Sequence, residues 1–195
     1  KYEYDDDKAS TIVEIEEFFD MITNEDWGNY AGTRINKTRY LLLKLDLIYG
    51  ALTTTLQFDR KTSSVEHIMP RKIEGSNWRI DPKFHSQYVH KLGNIVLIDR
   101  VKNSSMSNKS YANKKEIYAN YIETRANTIH VFMNYSEWTR ETIQQNQRRI
   151  EDLFRYYYNG NSFDSILEYK KNGLKDSKIG VSSTSPQLTQ GTLNL

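Results

Sequence analysis

The chain has 195 residues, a net charge of +2 and a hydrophobic fraction of 37%, enough for one domain with an economical core or one domain plus an appendage. It has no cysteine, which excludes disulfides and zinc sites built on thiolates. No apolar run in it approaches the roughly 20 residues needed to span a bilayer, which excludes a membrane-spanning helix within these 195 residues.

Fourteen Tyr, seven Phe and three Trp supply much of the area that can be buried. No signal peptide is visible and the first residue is Lys, so we expect a fragment of a longer polypeptide. Charge is unevenly spread: residues 1–30 hold ten acidic side chains against two lysines, and residues 61–115 hold eleven basic ones against four acidic. A basic middle suits a phosphate-backbone partner, although a solvated surface gives the same signature.

Residues 1–9 read as an acidic linker. Thr11-Ile-Val-Glu14 reads as a capping box, followed at helical spacing by Ile12, Ile15, Phe18, Phe19 and Ile22. A turn at 28–32 precedes a second helix, with Asn36 as its cap and an apolar surface on most sides, hence buried. Residues 50–63 read as a Thr-rich loop. Residues 64–69 form a short strand that Pro70 ends. Asp81-Pro82 opens a helix as N-cap and first helical residue, and Gly93 stops it.

Residues 94–98, Asn-Ile-Val-Leu-Ile, are a β-branched strand, and 99–107 a short helix. Ser110 to about Arg125 is helical, with Tyr111, Ile117, Tyr118, Tyr121 and Ile122 along one stripe, and a longer helix runs from Ser136 to Tyr157. A short helix at 163–170 closes the body, and residues 173–195 shift to Ser, Thr, Gln, Gly and Pro, the composition of a flexible tail. There is no internal repeat. The fold expected is α+β and mainly helical, with a small strand–strand–helix centre at about 64–108 inside a domain spanning 10–172.

Chemistry concentrates in that centre. Glu66-His67 stands just before Pro70, Asn94 opens the second strand, and Asn103 lies nine residues further on. A carboxylate and a carboxamide are hard oxygen donors, suited to magnesium or manganese. A neutral imidazole can take a proton from water near neutral pH. One difficulty is geometric, because neighbours on a regular strand point to opposite faces. Glu66 and His67 reach one site only if the strand twists, bulges or ends there.

The run Glu66-His67-Ile-Met-Pro70, then Gly93-Asn94-Ile-Val-Leu97, then Asn103 resembles the HNH, or ββα-metal, nuclease motif, in the acid-His, Asn, Asn version used by CRISPR effector nucleases. The wider context is more specific. Arg39-Tyr-Leu-Leu-Leu-Lys-Leu45, VEHIMP, Trp78, HKLGNIVLIDRVKNSSMSNKSYANKK and Trp138, Ile143 and Arg148 are similar to the C-terminal nuclease half of GmrSD-type, modification-dependent (type IV) restriction proteins over about 35–155. That resemblance implies a cytoplasmic bacterial phage-defence enzyme that nicks DNA with one Mg²⁺ or Mn²⁺ per site and no zinc, leaving 5′-phosphate ends. It implies an N-terminal ParB-like NTPase or sensor domain as partner, and a homodimer or two visits for a double-strand break.

By the same resemblance His67 is the general base, Glu66 and Asn103 are metal ligands, and Asn94 orients His67 and braces the loop. His90, Lys91, Arg100, Lys102, Lys109 and Lys115 are candidate DNA-backbone contacts. The chain departs from the commonest form by carrying Glu at 66 and Asn at 103, and neither change removes an oxygen donor.

Plainer roles stand beside these. His67 can be a packed histidine, Asn103 and Asn108 helix caps, Trp78 and Trp138 core anchors, and the Tyr stripe core packing rather than a base-stacking surface. Two rival functions remain: a non-catalytic nucleic-acid-binding module with a decayed site, and a helical domain that docks on an upstream NTPase.

Overall fold

A two-stranded sheet buried on both faces organises the chain. In the computed structural model, which describes residues 15–29, 34–50, 63–74, 76–120 and 125–158, β1 (Ser63–His67) pairs antiparallel with β2 (Ile95–Asp99). Ser63 faces Asp99 and His67 faces Ile95. An isolated two-stranded sheet is marginal in water, so helices must cover both sides.

Alternation divides the apolar residues between two cores. Val65, Ile95 and Leu97 join a first core with Phe19, Leu42, Leu45, Ile150 and Phe154. Val96 and Ile98 join a second with Met69, Phe84, Tyr111, Phe132 and Trp138. Burial on both sides explains why Ile95-Val-Leu-Ile98 is apolar without alternation.

Helices α1 (Ile15–Asn24), α2 (Arg34–Gly50) and α7 (Arg140–Tyr158) cover the first face. Helices α3 (Pro82–Tyr88), α5 (Tyr111–Ala119) and α6 (Ala126–Asn134) contribute to the second core, and α4 (Arg100–Met106) follows β2 directly. The fold is mainly helical α+β, as expected. None of these helices is long and apolar enough to cross a membrane.

Asp81-Pro82 acts as read, and two further helix starts prove to be capped locally. Asp81 accepts from the Phe84 backbone N–H at 2.8 Å with Pro82 at the first helical position, Asp99 caps α4, and Ser110 caps α5. Trp138 is buried, and Trp78 packs against the second core.

Others need correction. The strands are 63–67 and 95–99 rather than 64–69 and 94–98. Asn36 does not cap α2, which already begins at Arg34. That helix is one-sided, with Leu41, Leu42, Leu45 and Ile48 buried and Tyr40 63% exposed. The last helix starts at Arg140, where Thr139 and Thr142 exchange backbone-to-hydroxyl bonds of 2.7 and 3.4 Å.

The helix from Ser110 ends at Ala119, and a helix that local signals did not announce, α6, follows at 126–134. Its start has no side-chain cap from Arg125. Instead Asp46 of α2 accepts from the Asn127 backbone N–H at 2.9 Å, a cap supplied from 81 residues away.

Gly93 does not end the helix of 82–88, whose C-cap is Val89. It lies in a 3-10 turn, Leu92–Asn94, pressed against α7. A Cβ there would stand 2.7 Å from Gln147 Cβ and 2.8 Å from its backbone nitrogen. Gln147 Oε1 accepts from Gly93 N at 2.6 Å, and Asn146 Nδ2 donates to Gly93 O at 2.7 Å. The glycine is required by close approach.

The acidic linker 1–9, the capping box at 11–14, most of the turn region beyond residue 29, the loop 51–62, Tyr121, Ile122, the helix at 163–170 and the tail 173–195 lie outside the described residues.

Replacing Gly93 by Ala should therefore cost about 1–3 kcal/mol, the usual size of an overpacking penalty. Urea unfolding of the variant checks this, and an unchanged midpoint would mean that α7 gives way freely.

Candidate functional site

The strand β1 ends at His67, and its last two side chains leave on opposite faces. Glu66 is 6% exposed, and its Oε1 lies 2.5 Å from Nζ of Lys114, a fully buried residue of α5. The same ammonium donates to the His67 backbone carbonyl at 2.8 Å. Burial pushes the Glu66 carboxyl up and the Lys114 ammonium down, while each partner's charge draws the other back toward the ionised form.

His67 is 6% exposed and faces the other way. Its Nε2 lies 3.2 Å from Nδ1 of His90, a hydrogen bond between two imidazoles whose rings meet edge to face. Burial, with the positive charges of nearby residues, pushes its pKa down to about 3, so the ring is neutral at physiological pH. The pocket is closed by Gly28, whose backbone N–H donates to His90 O at 2.8 Å. A Cβ on Gly28 would overlap His67 Nε2.

Asn94 spends its whole carboxamide on structure. Its Oδ1 accepts from Met69 N at 2.8 Å and Trp138 Nε1 at 2.9 Å, and its Nδ2 donates to Met69 O and Val89 O, both at 2.9 Å. Its backbone carbonyl also accepts from Ile68 N. Asn94 thus braces the chain leaving β1, and any orienting effect on His67 runs through that backbone.

Asn103 donates to Ser64 Oγ at 2.6 Å and Val65 O at 3.1 Å. Ser64 and Glu66 share a face of β1, so Asn103 and Glu66 approach the strand from one side and His67 from the other. Both amide protons of Asn103 point at the strand, which leaves its oxygen as the donor atom toward a cation.

Among the described residues no three His, Cys, Asp or Glu side chains gather where they could hold a metal ion. The Glu66 carboxylate and the Asn103 amide oxygen are oxygens of the kind that hard divalent ions take as ligands. Glu66 is already paired with one cation, the Lys114 ammonium.

The basic candidates scatter. Arg100 is exposed, as is Lys109, whose Nζ donates to Ser105 O at 2.6 Å. Lys91 donates to Asn24 O and lies 3.3 Å from Asp26, and Lys115, half-buried, donates to Tyr135 O at 2.7 Å. Lys102 differs from the other candidates: it is 3% exposed, with Nζ 5.6 Å from the centre of the Tyr118 ring. Tyr111 and Tyr118 are buried in the second core, so the described part of the Tyr stripe is core packing.

Lys114 and Gly28 escaped the sequence reading. A signal for the lysine existed, because positions 111, 114 and 118 form one helical stripe and a cation on the buried side of such a stripe requires a partner.

A second buried imidazole, His130 on α6, is pushed down to about 2 by burial and by Arg149. For both histidines the folded pKa lies below the unfolded value of about 6.5. The unfolded chain then binds more protons below that pH, and stability falls as pH drops from about 6.5 toward about 3, by up to about 1.4 kcal/mol per unit for each. Urea midpoints between pH about 4 and 7 should decline accordingly, and His130→Gln should flatten the slope. An equal slope in that variant would count against it.

Set against known proteins, no curated protein matches the chain. The family model for the C-terminal domain of GmrSD restriction endonucleases matches residues 13–153, which include β1, β2 and every helix between them. With nearly three quarters of its length matched, the chain belongs to the GmrSD restriction endonuclease C-terminal domain family.

Proposed function

We propose that this chain is the DNA-cutting part of a modification-sensing phage-defence enzyme, hydrolysing phosphodiester bonds one strand at a time through an HNH-type site. The observation that carries the reading is a buried imidazole, His67, hydrogen-bonded to His90 at the end of the strand that also presents Glu66. Family membership points the same way.

In this reading His67 accepts the proton of the attacking water, and the negative charge of a bound phosphate would restore to the ring the basicity that burial and the nearby positive charges remove from it. His90 holds Nε2 of that ring and is the less enclosed of the two, so it links the proton to solvent. Glu66 and Asn103 hold one Mg²⁺ or Mn²⁺. When bound, that ion supplies the positive charge that offsets the charge growing on the phosphate. Asn94 fixes the backbone on which all of this stands. Arg100 and Lys109 lie exposed on and just after the helix that follows β2, where phosphate contacts fix position without reading sequence. An upstream ParB-like NTPase or sensor domain would choose the substrate, and a homodimer would convert nicks into breaks.

One observation favours a second reading, a nucleic-acid-binding module that does not cut: the Glu66 carboxylate is already ion-paired with Lys114.

Supercoiled plasmid with Mn²⁺ separates the two. Wild type should give nicked circles, lost in EDTA and reduced at least about 100-fold in His67→Ala. DNA retained in EDTA with no cutting in any metal would support the binding module. Equal traces from wild type and His67→Ala would discard the role of His67. Gly28→Ala, which pushes a methyl group into the His67–His90 pair, should lower nicking at least about tenfold and also lower the urea midpoint, as an overpacked buried contact does.

A further inference from the structure

Lys114 is the deepest charge among the described residues, with no exposed surface. Its ammonium sits between Glu66 Oε1, at 2.5 Å, and the His67 carbonyl, at 2.8 Å. That places a fixed positive charge on the carboxylate and on the backbone of the neighbouring imidazole at once. The helix that carries it does not float. Ser110 caps α5, and the Tyr111 hydroxyl donates to the Val131 carbonyl at 2.8 Å and lies 3.2 Å from that of Tyr135. With α5 anchored, the route by which the ammonium can leave Glu66 is rotation of its own four-carbon stem.

We propose that Lys114 is the resident cation of this site, a positioning residue that holds Glu66 and the end of β1 in place and with which a divalent ion must contest the Glu66 carboxylate. The inference rests on Glu66 being the carboxylate that receives the ion. Two cations on one carboxylate, away from water, repel each other strongly. Ion binding at Glu66 therefore releases Lys114 from its buried position, and the ammonium in turn keeps the site occupied and the strand end ordered while no ion is bound. An unpaired carboxylate at this depth would otherwise be costly.

The test uses the whole chain and Mn²⁺ alone. Free Mn²⁺ is followed by electron paramagnetic resonance to obtain occupancy. At each occupancy a short pulse of an amine-acylating reagent, read by mass spectrometry, reports the accessibility of every lysine. Without metal, Lys114 should be protected relative to the exposed Lys72 and Lys83. Its labelling should rise at least tenfold as Mn²⁺ saturates, while those two stay level. In Glu66→Gln both the Mn²⁺ binding and the metal-dependent labelling should vanish, with the labelling of the other lysines unchanged as evidence that the variant is folded.

If Mn²⁺ binds in a manner that needs Glu66 but Lys114 labelling stays flat, the inference is wrong and the metal reading of the site stands. If Mn²⁺ does not bind, or binds equally well to Glu66→Gln, the metal reading itself fails and the contest proposed for Lys114 fails with it.

Discussion

One carboxamide closes the centre of this protein. Asn94 uses two donor protons and two acceptor positions to join the turn before β2, the residues leaving β1, the end of α3 and the indole of Trp138. All of these groups are buried, where a lost hydrogen bond leaves partners unsatisfied at a cost of about 1–3 kcal/mol each. The direction of the chain at Ile68 and Met69, and hence the place where His67 leaves the sheet, depends on it. Both cores meet this clamp, because Trp138 belongs to one and the 3-10 turn beside Asn94 leans on α7 of the other.

The face-splitting of β1 is the second constraint. Neighbouring residues on a strand diverge, and here they do so without a bulge: Glu66 turns toward α5 and His67 toward His90 and Gly28. The chain joins the two halves through backbone, since Lys114 grips the carboxylate of one residue and the carbonyl of the next. A carboxylate and an imidazole on opposite faces are thereby held in a fixed relation around the end of the strand, where β1 stops at His67.

How far the sequence could be read follows from the reach of each signal. Asp81-Pro82, Asp99 and Ser110 act within three residues, and the elements they open were legible. The apolar run 95–98 was legible as a strand because burial on both faces leaves no room for polar alternation. Gly93 was misread because its reason, Gln147, lies 54 residues further along the chain. Helix α6 was missed because its cap is Asp46 of another helix. At the site, the spacing of Glu66, His67, Asn94 and Asn103 placed all four around the hairpin. It could not show that Glu66 already has a buried partner, because Lys114 looked like one more surface lysine until the stripe of 111, 114 and 118 was seen to face inward.

The cap that Asp46 lends to α6 has a consequence for how the chain is built. A nine-residue helix rich in Asn, Thr, Ile and Val is too short to hold its shape alone, and its first turn lacks a local oxygen to receive its N–H groups. Its first turn gains the Asp46 cap only when α2, from the early part of the described chain, is in place. The start of α6 thus depends on a side chain from the first third of the chain. Loop closure over that separation is slow compared with helix growth. During synthesis, segment 126–134 would leave the ribosome with its template already waiting, whereas a refolding chain must find it by diffusion.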